Sequence, residues 1–290
     1  MRGITRHIRT GLLVLTVCVM ALSHANAAFA REAKRILVIT SYNPDTKRMY
    51  TTLSDIWQEL KNKGENDIRL DIENLNCKGL SEGQEWKHRM ADILNEHRMS
   101  PPDLIIPLGQ EAWSSFLSQN SDIARRTPVM PAIVSTNTLI CQDKNCNIRT
   151  CHPKAVYYDE IQGFNIVGGV FYKYDIEKNL ELTRQFFPNT KRIALITDFT
   201  LGGLAMQTHV IRHMERHKDI ELLLLDGRRN TVFEICNKLK NLNGQNTVLW
   251  LGTWRIDSSE NYSLTSTDDV LRKSNPQIPA FSLSATGMGN

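Results

Sequence analysis

After its first thirty residues the sequence lacks any apolar run of membrane-spanning length, since a crossing helix takes about 20 consecutive apolar residues. It also lacks a stripe of one charge. Its 35 Lys and Arg alternate with 31 Asp and Glu, for a net charge of +4, which excludes the basic footprint of a nucleic-acid-binding surface. The catalytic fingerprints are missing as well: no G-x-S-x-G elbow, no P-loop, no Rossmann glycine series and no HExxH. No Ser-His-Asp or paired-carboxylate set follows from spacing. No catalytic residue, metal or cofactor is therefore assigned.

What is present begins with a secretory pattern. Arg2, Arg6, His7 and Arg9 precede a short apolar run from Gly11 to Leu22, and Ser23 to Ala30 carries two small-x-small sites, after Ala27 and after Ala30. Residues 1–30 read as a signal peptide, with an uncleaved anchor as the rival reading. Cys18 follows Val17 rather than a small residue, which argues against a lipoprotein. The expectation is an exported, periplasmic chain starting near Arg31. Past the signal five cysteines remain, Cys77, Cys141, Cys146, Cys151 and Cys236. The odd count leaves at least one thiol without an intramolecular partner. Cys141, Cys146 and Cys151 share a polar stretch, CQDKNCNIRTCHP, whose spacing matches no common structural zinc pattern. They are candidates for a loop-stapling disulfide, with a metal site or free thiols as alternatives.

The mature chain of roughly 260 residues suits two units of roughly 120 each. Short apolar runs alternate with amphipathic segments, the order of parallel sheets covered by helices. Strands are expected at 35–40, 68–75, 104–109 and 129–134, with helices near 49–60, 84–97 and 110–117 between them. Residues 136–162 are polar, cysteine-bearing and without period, and mark a break. A second series follows, with a strand at 163–170, a helix over 176–187, a strand at 192–197, a helix over 204–217, strands at 220–225, 247–251 and 280–283, and a helix over 232–242. RILVITSYNPDTKRMY and RIALITDFTLGGLAMQ are two β-turn-α openings of one design. The implied organisation is lobe one over 31–162, with a cysteine-bearing insertion at 136–162, and lobe two over 163–284.

Those two openings, with PPDLIIPLGQEAW, TPVMPAIVSTN, GGVFYKYDIEKNLELTRQFFPNT and TVLWLGTW, make the chain resemble the periplasmic-binding-protein-like, ABC-type substrate-binding family, in particular the versions at the N-terminus of bacterial sensor histidine kinases. The resemblance implies an α/β fold of two Rossmann-like lobes with parallel sheets and an interlobe cleft, type I-like. Residues 285–290 would begin the return crossover to lobe one, so the fold is expected to be truncated at its C-terminus. It implies a small polar solute as ligand, and a membrane and kinase region in a full-length parent. The chain itself has no phosphoacceptor-like histidine helix and no glycine-rich ATP lid. An ABC importer's solute-binding protein, serving a permease, is the alternative. A two-lobed glycosyltransferase-like enzyme is a second, against which the secretory signal and the missing nucleotide motifs argue.

In parallel α/β sheets ligands gather at the carboxyl ends of the strands. Lobe one offers Ser41, Tyr42 and Asn43, then Gln110 and Glu111, then Asn137. Lobe two offers Asp198, Phe199 and Thr200, then Asp226 and Arg228, then Thr253 and Trp254. Hydroxyls and amides would bond a polar solute, Trp254 and Phe199 would sandwich a ring, and Arg228 would pair with an anion. The plainer reading is that Ser and Asn after a strand cap the next helix. His209, His213 and His217 recur every four residues along one helical face, read as a solvated or partly buried face in preference to a metal site.

Overall fold

The computed structural model describes residues 33–64, 67–140, 154–260, 271 and 273–283. The signal pattern and Cys141, Cys146 and Cys151 lie outside the described residues. The first series of elements is β1 (Lys34–Thr40), α1 (Lys47–Asn62), β2 (Ile68–Asn74), α2 (Gly83–Glu96), β3 (Leu104–Leu108), α3 (Gln110–Leu117), α4 (Asp122–Arg126) and β4 (Ala132–Ser135). A hairpin of β5 (Asn137–Ile140) and β6 (Lys154–Tyr157) follows, then β7 (Val170–Tyr172). The second series is α5 (Ile176–Phe186), β8 (Arg192–Thr197), α6 (Leu201–Met214), β9 (Glu221–Asp226), α7 (Val232–Lys240), β10 (Thr247–Leu251) and β11 (Ala280–Ser282).

The first sheet has the order β2-β1-β3-β4-β7 and the second β9-β8-β10-β11 when read in the matching direction, with every pairing parallel. The two sheets repeat one winding. Their central strands are near-continuous apolar runs because parallel strands between two helical layers are buried on both faces. Alternation assigns the faces: Leu37 and Ile39 join one core cluster, Ile36 and Val38 the other. In the second unit Ile193, Leu195, Val248 and Trp250 share one cluster, and Ala194, Ile196, Leu249 and Leu251 the other.

Three expectations are corrected. The strand expected at 163–170 is displaced to Val170–Tyr172, and it pairs with β4 at the edge of the first sheet instead of opening the second. Gly163 stands at φ +78°, and a Cβ on Gly169 would lie 2.3 Å from the Phe171 ring, so the preceding stretch turns and packs closely before it can extend. The expected strand at 129–134 begins only at Ala132, because Pro131 has no N–H to continue the ladder beyond an isolated bridge at Val129. The helix expected over 204–217 runs three residues earlier at both ends. Thr200 Oγ1 accepts from Gly203 N at 3.0 Å and starts it at Leu201.

Candidate functional site

Each sheet reverses its winding between two central strands, β1 and β3 in the first, β8 and β10 in the second. At that switch point the turn after the earlier strand bonds to the turn after the later one. Ser41, directly after β1, accepts at its Oγ from Ala112 N at 2.9 Å and so caps α3 from outside. Gly109, at φ +103°, lets the strand end approach, since a Cβ there would stand 2.5 Å from Ser41 Oγ. Asp198, directly after β8, is the counterpart. Its Oδ1 accepts from Thr200 Oγ1 at 2.6 Å and Thr253 Oγ1 at 3.0 Å, and its Oδ2 from Arg255 N at 2.9 Å.

The other candidate groups of the first unit are also engaged. The Tyr42 hydroxyl donates to Glu111 Oε1 at 2.8 Å. Burial pushes the Glu111 carboxyl up, with Tyr42's donation opposing, and burial followed by the Glu111 charge raises the Tyr42 phenol well above its ordinary value. Gln110 spans the β4–β5 turn, accepting from Ser135 N at 2.9 Å and donating to the Asn137 carbonyl at 3.1 Å. Asn43 is exposed at the turn, and its side chain accepts from Asp45 N.

In the second unit burial raises the Asp198 carboxyl against its hydroxyl donors. Arg228, 2 % exposed, donates to Asp226 Oδ2 at 2.7 Å and to Gln207 Oε1 at 3.1 Å. Burial alone would raise the Asp226 carboxyl, but the bonds from Arg228 override it and hold the group below its usual range. The Arg228 charge is thus compensated within its own turn. Phe199 is fully buried in the cluster that holds Trp113 and Phe116, whereas Trp254 packs partly buried against the cluster of Ile235 and Leu251. The two rings belong to different cores, so they do not flank a common space.

The turns of the two units meet face to face. Phe199, Leu201, Leu204 and Ala205 enter the first unit's core cluster. Asn137 Nδ2 donates to the Ala205 carbonyl at 2.7 Å, and Ser81 Oγ to Glu260 Oε2 at 2.8 Å. The Arg255 guanidinium lies 5.7 Å from the Tyr42 ring centre. Arg255, and Tyr174, whose phenol lies within electrostatic reach of Arg255 and Asp198, are junction residues that sequence reasoning did not single out. Arg255 directly follows the expected Thr253 and Trp254, and a cation one residue past a strand-end turn was the available signal. Beside the junction a cavity of about 10 Å³, lined by Gly83, Trp86, Ser115 and Leu201 among others, has room for one water.

Of the three helical histidines, His213 Nδ1 and His217 Nε2 lie 3.2 and 2.9 Å from the two carboxylate oxygens of Glu177, and His209 faces inward. Among the described residues no group of three or more His, Cys, Asp or Glu side chains is arranged to hold a metal ion. Cys77 and Cys236 are buried thiols, and burial raises the Cys77 thiol far above its ordinary value. Among the described residues no helix is long and apolar enough to cross a membrane.

No protein-family model and no curated protein sequence matches the chain. Solved structures do. A periplasmic binding protein from Burkholderia mallei aligns with TM-score 0.54 and 8 % identity over 87 % of this chain and 61 % of its own. A fatty acid ABC transporter substrate-binding protein from Thermomonospora curvata aligns with TM-score 0.54 and 12 % identity over 87 % and 58 %. The ligand-free, open structure of a substrate binding protein with adhesive properties from Clostridium difficile aligns with TM-score 0.50 and 16 % identity over 86 % and 74 %. The chain spans about three fifths of the first two. At these identities the shared property is the fold: an α/β chain of parallel sheets in the periplasmic-binding-protein arrangement.

Proposed function

We propose that the chain is an extracytoplasmic module that binds a small polar ligand between its two units, without catalysing a reaction, and that it serves as the input region of a sensor histidine kinase. The observation that carries the binding reading is the meeting of the two switch points, with Tyr42 and Arg255 facing each other across the junction. Sheet carboxyl ends are where α/β folds take ligands, and here both sets of ends converge on one cleft. Because the inner polar groups are engaged with one another, a ligand would bind by separating the units and then bridging Tyr42, Glu111, Asn137, Asp198 and Arg255. Its effect on the open–closed equilibrium is limited to its preference for the closed form. The signal-like N-terminus supports export, and the resemblance to sensor versions of the fold supports the kinase reading over an importer's binding protein.

The test is a thermal-shift screen of sugars, amino acids and aromatic acids. A ligand at a hundred times its Kd stabilises by about 2.7 kcal/mol. The expected result is a hit whose shift is lost in Arg255→Ala and reduced in Tyr42→Ala. A hit unchanged by both substitutions places binding elsewhere, and stimulation of a permease rather than a kinase by the liganded protein would move the role to transport.

A further inference from the structure

His209 sits in α6 of the second unit, yet both of its ring nitrogens bond outside that helix. Nε2 lies 3.0 Å from the carbonyl oxygen of Tyr174, in the passage between the two sheets, and Nδ1 lies 3.2 Å from the hydroxyl of Tyr157, at the end of the hairpin strand β6. A carbonyl can only accept, so Nε2 carries the hydrogen. Nδ1 then keeps its lone pair and the Tyr157 hydroxyl donates to it. One neutral tautomer matches every partner.

A second proton has no such match. It would force the Tyr157 hydroxyl to turn from donor to acceptor, in a ring whose face already carries the Arg212 guanidinium at 4.3 Å. His209 is 6 % exposed, and the His213 ring lies 4.6 Å away. The carboxylates nearby among the described residues have other partners. Glu160 lies 3.7 Å from Arg212, and Glu177, on α5, is shared by His213 and His217. On α3, which packs against α6, Glu111 is turned to Tyr42. The Tyr174 phenol is raised by burial and stays neutral. A charged His209 would thus be desolvated, beside Arg212 and, among the described residues, without a counter-ion of its own.

We propose that His209 is a pH-operated latch between the two units: neutral, it ties α6 to the hairpin and to the passage between the sheets, and protonated, it releases them, so that acidification favours the open cleft. This rests on the reading of that cleft as a binding site that opens. The sign follows from burial, which first among the causes holds the His209 imidazole below its ordinary value in the closed form. Closed-state stability is therefore full above about pH 6.5, the free imidazole value, and declines as pH falls below it. One proton shifts the open-to-closed ratio by at most about tenfold per pH unit. The neighbouring Glu177 carboxyl, lowered by its bond to His213, keeps its contribution through that window.

The experiment is small-angle X-ray scattering of the ligand-free chain from pH 8 to pH 5, with far-UV circular dichroism alongside. The expected result is a radius of gyration that rises as pH falls while the dichroism holds, a flat profile in His209→Gln, and a retained rise in the double variant His213→Gln, His217→Gln. Tyr157→Phe, which leaves the Nδ1 lone pair without its donor, should move the midpoint to higher pH and serves if His209→Gln does not fold. No rise in the parent chain, an equal rise in His209→Gln, an unmoved midpoint in Tyr157→Phe, or a rise that accompanies loss of the dichroism signal each overturns the latch. No ligand enters the measurement, so a failed ligand screen leaves it standing, and its failure leaves the screen untouched.

Discussion

Asn137 and Ala205 join the two units by one hydrogen bond: Nδ2 of the asparagine donates to the helix carbonyl at 2.7 Å, while Oδ1 of the same side chain is buried and, among the described residues, has no partner. Half of the amide is satisfied and half is not. Asn137→Ala removes the bond and the orphaned acceptor together, so the expected loss is small, about 1 kcal/mol. Asn137→Asp keeps the shape but turns a buried carboxylate towards a carbonyl oxygen and should cost clearly more. Urea midpoints at pH 7.5 check the order: Asp falling no further than Ala would show that the donor does not hold this position.

Gly109 answers two demands at once, a φ of +103° and an approach to Ser41 Oγ that leaves 2.5 Å for a Cβ. Gly109→Ala should therefore strain the backbone and displace the hydroxyl that caps Ala112. The expected cost is about 1 to 3 kcal/mol, against the few tenths usual for a surface loop. Ser41→Ala, made in the Gly109→Ala background, should add little, because the cap is already lost. Full additivity in a double-mutant cycle would disprove the coupling.

The central strands of both sheets were legible because they are buried on both faces and run as unbroken apolar stretches. β10, Thr247–Leu251, and α3, Gln110–Leu117, fall where the pattern puts them. The hairpin β5–β6 was not legible. Its strands have four residues each, too few to show alternation, and they lie in a stretch whose composition reads as loop. The candidate site was legible as a set of turns, since strand ends and glycines mark them. The use each side chain makes of its turn was not. Arg228 reads as an anion receptor, whereas Asp226 in the same turn already pairs with it, and Ser41 reads as a cap for the helix after it, whereas it caps α3, about seventy residues on. The Ser41 pairing depends on which turn lies beside which, a property of sheet order that local sequence does not carry.

Asp226 and Arg228 form an ion pair with side chains 9 % and 2 % exposed. Removing one partner leaves the other's charge buried, so Asp226→Asn should cost about 3 to 5 kcal/mol, and the double variant Asp226→Asn, Arg228→Met should recover part of the loss. The Asp226 carboxyl is lowered in the folded protein. Its contribution is present above the unfolded aspartate value of about 3.9 and is lost as pH falls through the folded value. Denaturation at pH 7 and pH 3 checks both parts. A double variant as weak as the single one would show that the missing ion is not what destabilises it.

Glu111 carries the opposite dependence. Burial raises its carboxyl above the ordinary range although the Tyr42 hydroxyl donates to it at 2.8 Å. A carboxyl raised on folding contributes most below its unfolded value, about 4.3, and loses that contribution as pH rises through its folded value. Glu111→Gln keeps an oxygen for Tyr42 and removes the buried charge, so it should be more stable than the parent at pH 8, with the difference shrinking towards pH 4. Tyr42→Phe removes the donor and should raise the Glu111 carboxyl further, widening the pH range over which the parent is destabilised. Paired urea titrations from pH 4 to pH 8 measure this directly. A Glu111→Gln variant whose stability parallels the parent's at every pH would mean that the carboxyl titrates alike in the folded and unfolded chain, so that burial does not raise it.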